Sequence, residues 1–184
     1  MTQQPVIPGY VAGTWTIDPG HSEVSFTVRH LMMTRVRGRF GRFSGQLVTA
    51  ENPLDSRVSA DIDMASIDTN NAARDADLSS GNFFDVGTFP VMTYESTSLE
   101  PDGDAFLLRG DLTCHGATAE VPLRLTVNGF GTGRFGDRRA AFTATGELSR
   151  KAFGISLDLP LDGGGVVIGD RIEITLEIQA VLGQ

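Results

Sequence analysis

Residues 172–180 read Ile-Glu-Ile-Thr-Leu-Glu-Ile-Gln-Ala, and apolar and polar side chains alternate along this stretch. Successive side chains of a β-strand point to opposite faces of a sheet, so this period of two predicts a strand with one apolar and one solvated face. Residues 23–30, Glu-Val-Ser-Phe-Thr-Val-Arg-His, repeat the pattern. The two segments indicate a β-protein, because neither follows the 3.6-residue period of a helix.

The same alternation recurs along the chain. Further apolar faces are predicted within residues 58–64, 92–96, 106–110, 121–127 and 140–148, and with the segment around Trp15 and the run from Val36 to Ala50 they make eight or nine strands. Antiparallel sheets of this size close into barrels or split into sandwiches, because twist accumulates and open edges aggregate. Glycines inside the strand patterns, such as Gly38 and Gly110, permit the bends that closure needs. We therefore expect an all-β antiparallel barrel.

One short segment predicts a helix, over residues 71–80. Asn70 or Asn71 can cap its N-terminus, three alanines favour helix, and Gly81 is placed to end it. A single helix among many strands suits a lid or plug over one end of the barrel.

Size and charge limit the classes of function. The chain has 184 residues, 15 Lys+Arg against 23 Asp+Glu and a net charge of −8, which indicates one domain and argues against a nucleic-acid partner. The N-terminus lacks a signal-peptide pattern and no uncharged apolar run is long enough to span a membrane, so we expect a cytoplasmic protein without an integral membrane segment. Cys114 is the lone cysteine, which excludes an intrachain disulfide.

A basic stripe interrupts this acidic chain. Arg35, Arg37, Arg39 and Arg42 are spaced mostly two apart and would line one face of a strand. The favoured interpretation is a solvated barrel wall.

Residues with catalytic or metal-binding chemistry are few. No paired His or Cys motif is present, and we predict no metal or cofactor, with a site assembled from His21, His30 and His115 as a minor alternative. His21 follows a turn sequence, whereas His30 continues an apolar face and would point inward, as a core histidine or as a ligand contact. The chain also lacks a Gly-x-Ser-x-Gly elbow and a phosphate-binding loop, so we predict no catalytic residues.

The apolar interior is the strongest functional signal. Small residues at predicted interior positions (Gly38, Ala60, Gly110, Ala144, Gly146 and Ala180) would leave volume for a ligand, although a packed core is the alternative. The predicted tunnel residues are Val24, Phe26, Val28, His30, Phe40, Phe43, Ile62, Met64, Phe84, Met92, Tyr94, Phe106, Leu108, Phe142, Ala144, Ile174 and Leu176.

Ordered motifs cover nearly the whole chain, from about residue 14 to 182. They are Trp15-x-Ile17-Asp18-x-x-His21-Ser22, Val36-x-Gly38-x-Phe40, Ser66-Ile67-Asp68-Thr69, Arg74-Asp75-x-x-Leu78, Phe83-Phe84-Asp85, Gly110-Asp111-Leu112-Thr113 and Arg150-x-x-Phe153-Gly154-Ile155 before Gly169-Asp170. This set resembles the YceI-like family. Asp77 and Cys114 depart from the residues expected there, and many relatives carry a secretion signal.

The resemblance implies an extended, eight-stranded, lipocalin-like barrel with a helical insertion, over residues 14–182 after an extension of residues 1–13. It also implies binding, storage or transport of a long-chain isoprenoid or fatty-chain amphiphile, and a homodimer. Arg74, Asp75 and Arg150 are the candidates for contact with the head group at the mouth, although an ion pair between Arg74 and Asp75 that ties the helix to the barrel is the favoured alternative for those two.

Two other functions, and the position of a dimer interface, stay open at this point. The same cavity could serve an enzyme that acts on a lipid or quinone, for which His30 is the best-placed group. The barrel could instead be a packed-core interaction module. An apolar edge near Trp15 or Phe40 could form the dimer interface.

Overall fold

The computed structural model describes residues 5–184, which form twelve β-strand segments and one α-helix. The strands are β1 (Gly13–Ile17), β2 (Glu23–His30), β3 (Thr34–Phe40), β4 (Phe43–Thr49), β5 (Arg57–Asp63), β6 (Ile67–Asp68), β7 (Val91–Asp102), β8 (Ala105–Cys114), β9 (Ala117–Glu120), β10 (Leu123–Thr132), β11 (Arg138–Ser149) and β12 (Ile168–Leu182). The helix α1 (Ala72–Ser79) lies between β6 and β7, and short 3₁₀ turns occupy Pro19–His21, Pro53–Asp55, Met64–Ser66 and Arg150–Phe153.

Eight strands close into an antiparallel barrel in the order β1-β4-β5-β7-β8-β10-β11-β12, with β12 returning to β1. Closure occurs at Trp15, which is opposite Leu47 of β4 on one side and Leu182 of β12 on the other. A closed sheet has no unpaired edge, which removes the aggregation hazard of an open sheet. The expected eight-stranded antiparallel barrel is confirmed.

Three further segments extend the barrel wall. The C-terminal part of the long strand β12 pairs with β1 and its N-terminal part pairs with β2, which in turn pairs with β3, and β3 with β6. The chain passes from β1 to β2 through the Pro19–His21 turn, which Asp18 stabilises by accepting a hydrogen bond from the Gly20 N–H and contacting His21 Nδ1 at 2.8 Å. His21 therefore acts as a turn residue, as expected.

The helix forms where the sequence predicts it. The Asn71 side chain caps α1 by accepting from the Arg74 N–H at 3.0 Å. Gly81 was expected to end the helix, but the helix ends earlier, because the Ser80 N–H bonds to the Asp77 carbonyl while Ser80 itself is extended. With eight residues, α1 falls far short of the roughly 20 needed to cross a bilayer, and no other helix of residues 5–184 could do so.

The barrel has two distinct ends. We call the end that carries α1, the β2–β3 turn and residues 150–167 the helix end, and the end that carries residues 5–12 and the β10–β11 turn the far end. Tyr10 anchors the far end, where its hydroxyl donates to the Ala50 carbonyl at 2.8 Å and its ring packs edge-on against Phe130. The first four residues of the predicted extension lie outside the described residues, so the boundary between an extension of 1–13 and a barrel of 14–182 stays a prediction.

The structure buries both Trp15 and Phe40, near which an apolar edge was expected. Trp15 is 0% exposed and Phe40 is 6% exposed, because both side chains point into the barrel. Neither side chain is therefore available for a dimer contact, and an interface near them stays a prediction.

Candidate functional site

A cavity of about 480 Å³ runs through the barrel from the helix end to the far end. His30 and Phe84 line it at the helix end, and Tyr10 and Phe130 line it at the far end. Its volume falls in the range of ligand-binding pockets, about 300–1,000 Å³. The barrel is therefore a hollow structure with room for an elongated molecule.

Partial exposure of the inward-facing side chains is the signature of this cavity. In a solid barrel the inward row of β2 and β12 would be fully buried, yet Phe26, Ile174 and Leu176 remain partly exposed. Phe26 is opposite Ile174 and Leu176 is opposite Val24, and all four line the cavity, so the exposed area belongs to the inside of the wall. The packed buried residues form two clusters instead, one of them around Trp15 at the far end.

Sixteen of the seventeen predicted tunnel residues line the cavity. They are Val24, Phe26, Val28, His30, Phe40, Phe43, Ile62, Phe84, Met92, Tyr94, Phe106, Leu108, Phe142, Ala144, Ile174 and Leu176. Met64 does not line it, because the chain leaves the sheet after Asp63, whose carboxylate accepts from the Ala65 N–H and starts a 3₁₀ turn. Met64 is packed in the core at 2% exposure.

The reason given for the cavity was wrong at three positions. A Cβ at Gly38 would lie 2.3 Å from the Phe26 ring, and one at Gly110 would lie 2.4 Å from the Tyr94 ring. The outer ends of the two aromatic rings occupy the space beside these glycines, so the missing side chains leave no empty volume there. Gly146 likewise accommodates the Leu123 side chain.

Far-end lining residues were missed by the sequence analysis. Ile7, Tyr10 and Ser56 border the cavity although they lie outside the strands. No periodic pattern marks such residues, because their position depends on how the loops fold over the barrel opening. Phe130 was also missed, since the bulge between Val127 and Gly129 changes the alternation of β10.

The Arg150 side chain makes its hydrogen bonds within the protein. Its guanidinium uses all five N–H groups within the chain: Nε donates to the Gly169 carbonyl, Nη1 to the carbonyls of Ile155 and Leu157, and Nη2 to the Ile168 carbonyl and the Asp158 carboxylate. The side chain is buried and pins residues 155–158 to the start of β12. Arg150 does line the cavity, but with every N–H group used within the chain it has no donor left for a head group.

Asp170 completes this anchor. It accepts from the Ser149 hydroxyl and from the Lys151 N–H. Burial alone would raise the pKa of Asp170, but the hydrogen bonds from Ser149 and Lys151 and the nearby Arg150 charge outweigh it and lower the pKa. The C-terminal motif is therefore a structural network.

Arg74 and Asp75 are tied to Thr69 and not to each other. Arg74 Nε donates to the Thr69 hydroxyl and Nη2 to the Thr69 carbonyl, while Asp75 accepts from the Thr69 N–H and hydroxyl. The ion pair expected between Arg74 and Asp75 is wrong in detail, although both residues do tie α1 to the strand region. Asp75 is not a cavity-lining residue, whereas Arg74 is, and Arg74 Nη1 has no partner within residues 5–184.

Polar groups border the cavity at both ends, with Tyr10, Ser56 and Arg57 at the far end. Arg29, His30, Arg74 and the exposed Asp77 border it at the helix end. The hydrogen bonds of residues 5–184 involve the His30 carbonyl but not its ring, which does not match a hydrogen-bonded core histidine. The cavity is thus apolar along its length and bordered by polar groups at both ends.

Two titratable groups inside the cavity have shifted pKa values, and both shift away from ionisation. Burial raises the pKa of the Cys114 thiol to about 11, and burial with the nearby Glu120 and Asp111 charges raises the pKa of Tyr94. A nucleophile or general base needs its pKa moved toward neutrality. Tyr94 instead donates a hydrogen bond to the Val121 carbonyl at 3.1 Å.

Metal ligands do not gather in the described part of the chain. Residues 5–184 contain no group of three His, Cys, Asp or Glu side chains placed to hold an ion. His115 packs against Phe89, and its Nδ1 lies 3.0 Å from the Phe153 carbonyl.

Relatives of known sequence share most of this chain. It is 38% identical over 152 residues to protein YceI of Escherichia coli O157:H7, covering 81% of this chain and 80% of that protein. It is also 38% identical over 140 residues to a UPF0312 protein of Pseudomonas paraeruginosa, covering 76% and 73%.

Solved structures show the same fold at lower identity. BcnA of Burkholderia cenocepacia superposes with a TM-score of 0.76 at 22% identity, over 89% of this chain and 98% of that one. A domain from Saccharophagus degradans, described as polyisoprenoid-binding and implicated in plant cell wall breakdown, superposes with a TM-score of 0.70 at 15% identity, over 94% and 100%. The sequence profile of the YceI-like domain matches residues 15–180. The chain therefore belongs to the YceI-like family.

Proposed function

We propose that the barrel binds a long-chain isoprenoid-type lipid, a polyprenyl compound or an isoprenoid quinone, and acts in its storage or transport. The proposal rests on one observation, the apolar cavity that extends from one end of the barrel to the other. The description of the Saccharophagus degradans domain as polyisoprenoid-binding supports the same ligand class.

Burial of the chain supplies the affinity. Each methylene group taken out of water contributes about 0.8 kcal/mol, so a few isoprene units outweigh the cost of ordering a flexible molecule. Head-group contact then falls to Arg74, with its unused Nη1, and to His30 at the same mouth.

A carrier is favoured over an enzyme by the chemistry of the wall. Tyr94 and Cys114 are held in their neutral forms, and Arg150 is fully occupied by the protein. An enzyme acting on a lipid or quinone is the second candidate, because the His30 ring lines the cavity and has no hydrogen-bond partner within residues 5–184.

Native mass spectrometry of the purified protein, followed by organic extraction, tests the proposal. We expect a stoichiometric long-chain adduct that is lost in Ala144→Phe, since Ala144 lines the cavity midway along β11. Thr145→Phe is the matched control, because it adds the same ring to the exposed outer face of the same strand. If Ala144→Phe unfolds, Leu176→Phe blocks the same region from β12.

The outcomes separate the candidates. An apo mass that stays unchanged after incubation with polyprenols, isoprenoid quinones and fatty acids would contradict lipid binding and favour an interaction module that acts through the outer surface. Turnover of the bound lipid that disappears in His30→Ala would favour the enzyme.

Two further expectations are retained as proposals. Homodimerisation is tested by sedimentation velocity, where a single species at the monomer mass over micromolar concentrations would contradict it. Cytoplasmic location is tested by cell fractionation, where recovery with a periplasmic marker would contradict it.

A further inference from the structure

Arginines are concentrated in one part of this acidic chain. Residues 24–50 contain five arginines and no Asp or Glu, although the whole chain carries a net charge of −8. Three of them, Arg35, Arg37 and Arg39, alternate on the outer face of β3, and Arg29 of β2 is opposite Arg35. The outer face of the β2–β3 hairpin is therefore basic.

The arginines nearest the hairpin turn are the ones that lack a close ion pair. Arg39 pairs with Asp68 at 3.0 Å and Arg42 with Asp63 at 2.8 Å, and both are the arginines furthest from the turn. Arg35 has only a loose contact with Glu173 at 3.8 Å. Arg29 and Arg37 have no carboxylate within 4 Å in residues 5–184.

The turn itself presents apolar side chains to solvent. Met33 is 80% exposed and Met32 is 49% exposed. Leu31 and Met32 have φ values of 52° and 57°, in the left-handed region that disfavours such side chains and that hairpin turns usually fill with Asn or Gly. Fold stability therefore does not explain this turn sequence, and backbone strain of this kind collects at functional sites.

The turn lies at the rim of the cavity. The Leu31 N–H donates to the Val167 carbonyl at 2.8 Å, and the Val167 N–H donates to the Leu159 carbonyl at 2.8 Å. Leu159, which is 45% exposed, lines the cavity together with Arg29 and Val167. We call Arg29, Met32, Met33, Arg35, Arg37 and Leu159 the basic-apolar rim.

Two of the acidic groups near the rim already contact basic side chains. Asp158 is paired with Arg150 and Lys151, and Glu173 faces Arg35. Asp162 lies in the turn between Leu159 and Val167, and Asp77 on α1 borders the same mouth. Apolar tips flanked by arginines are the pattern by which proteins insert into the interface of anionic membranes.

We propose that the basic-apolar rim docks on the surface of an anionic phospholipid bilayer, which places the helix-end mouth of the cavity against the lipid. Met32, Met33 and Leu159 enter the headgroup region, and Arg29, Arg35 and Arg37 contact the phosphates. This docking goes beyond lipid binding in the cavity and does not require the cavity to be occupied.

Vesicle flotation tests the docking with the full chain. Binding to vesicles of phosphatidylcholine with about 30% phosphatidylglycerol should be at least about tenfold tighter than to phosphatidylcholine alone, and should fall as salt is raised. The triple variant Arg29→Gln/Arg35→Gln/Arg37→Gln should lose that difference. The matched control Arg134→Gln/Phe135→Ser removes an exposed arginine and an 88% exposed aromatic ring at the far end and should bind like the unmodified protein.

A second variant separates docking from folding. Met32→Gly/Met33→Ser removes the apolar tip and also relieves the left-handed strain at Met32, so it should raise the melting temperature while binding anionic vesicles at least about fivefold more weakly. Ala144→Phe should block the cavity and leave vesicle binding unchanged, which keeps this test separate from that of lipid binding.

Three results would overturn the docking. One is equal binding to both kinds of vesicle, or to neither. Another is loss of binding in the far-end control with the rim variants unaffected. The last is self-association without vesicles that the rim variants abolish, because the unpaired outer edge of β3 would then be an interface with a second copy.

Discussion

Replacement of Arg150 by methionine is expected to destabilise the barrel by about 3–5 kcal/mol and to leave lipid affinity nearly unchanged. The buried guanidinium makes five hydrogen bonds, four of them to backbone carbonyls of residues 155, 157, 168 and 169. Hydrogen bonds to charged groups contribute about 1.5–3 kcal/mol each, but methionine keeps part of the packing and water reaches some of the freed carbonyls, which reduces the sum.

Lys151→Met is the matched control for this substitution. Lys151 is the neighbouring residue and contacts the same carboxylate, Asp158, at 2.6 Å, but it is exposed. An exposed ion pair contributes at most about 1 kcal/mol. The two variants therefore differ in burial and in backbone contacts while sharing the same acidic partner.

Urea unfolding followed by tryptophan fluorescence gives the free energy of unfolding directly. Trp15 is the single tryptophan and is fully buried, so its emission reports the loss of the barrel. Lipid affinity is measured on the folded variants below the transition. A change in unfolding free energy under 1 kcal/mol for Arg150→Met, together with a tenfold loss of lipid affinity, would refute the structural role and restore the head-group role.

Three further predictions follow from particular contacts. Gly110→Ala should cost about 1–3 kcal/mol, because its Cβ would lie 2.4 Å from the Tyr94 ring, and urea unfolding that matches the unmodified protein would contradict this account of the glycine. Cys114 should react with a thiol reagent in the native state far more slowly than in urea, since burial raises its pKa to about 11, and equally fast labelling in both states would contradict the burial. In Asp170→Asn the free energy of unfolding should fall less steeply with decreasing pH than in the unmodified protein. The pKa of Asp170 is lower in the folded state, so its stabilisation is present above the ordinary carboxyl pKa and is lost as pH falls through the folded value. An unchanged acid limb in thermal melts between about pH 6 and 3 would refute that assignment.

The fold could be predicted because its strongest signals are local. Alternation in residues 23–30 and 172–180 is set by side-chain direction in a strand, and the capping side chain of Asn71 needs no distant partner. The turn at Pro19–His21 was visible in the sequence, whereas the break at Met64–Ser66 was not, because it depends on the Asp63 carboxylate accepting from the Ala65 N–H.

Alternation predicted the residues of the cavity wall, but it did not explain why the space between them is empty. A glycine in a strand is compatible with empty space or with a neighbour's ring, and only the rotamers of Phe26 and Tyr94 decide between them. The roles of Arg74 and Arg150 were equally undecided, since their partners come from residues up to 19 positions away. The far-end contribution of Tyr10 depends on tertiary packing alone.

Affinity measured against ligand chain length tests the central claim most directly. A series of prenols with one to ten isoprene units, titrated by isothermal calorimetry at constant head group, should bind at least about tenfold more tightly per added unit until the cavity is filled and then level off. Exchange of the alcohol for a quinone head should change the dissociation constant by a smaller factor than the addition of one isoprene unit changes it. A dissociation constant that is independent of chain length but follows the head group would contradict the claim that burial in the barrel holds the ligand.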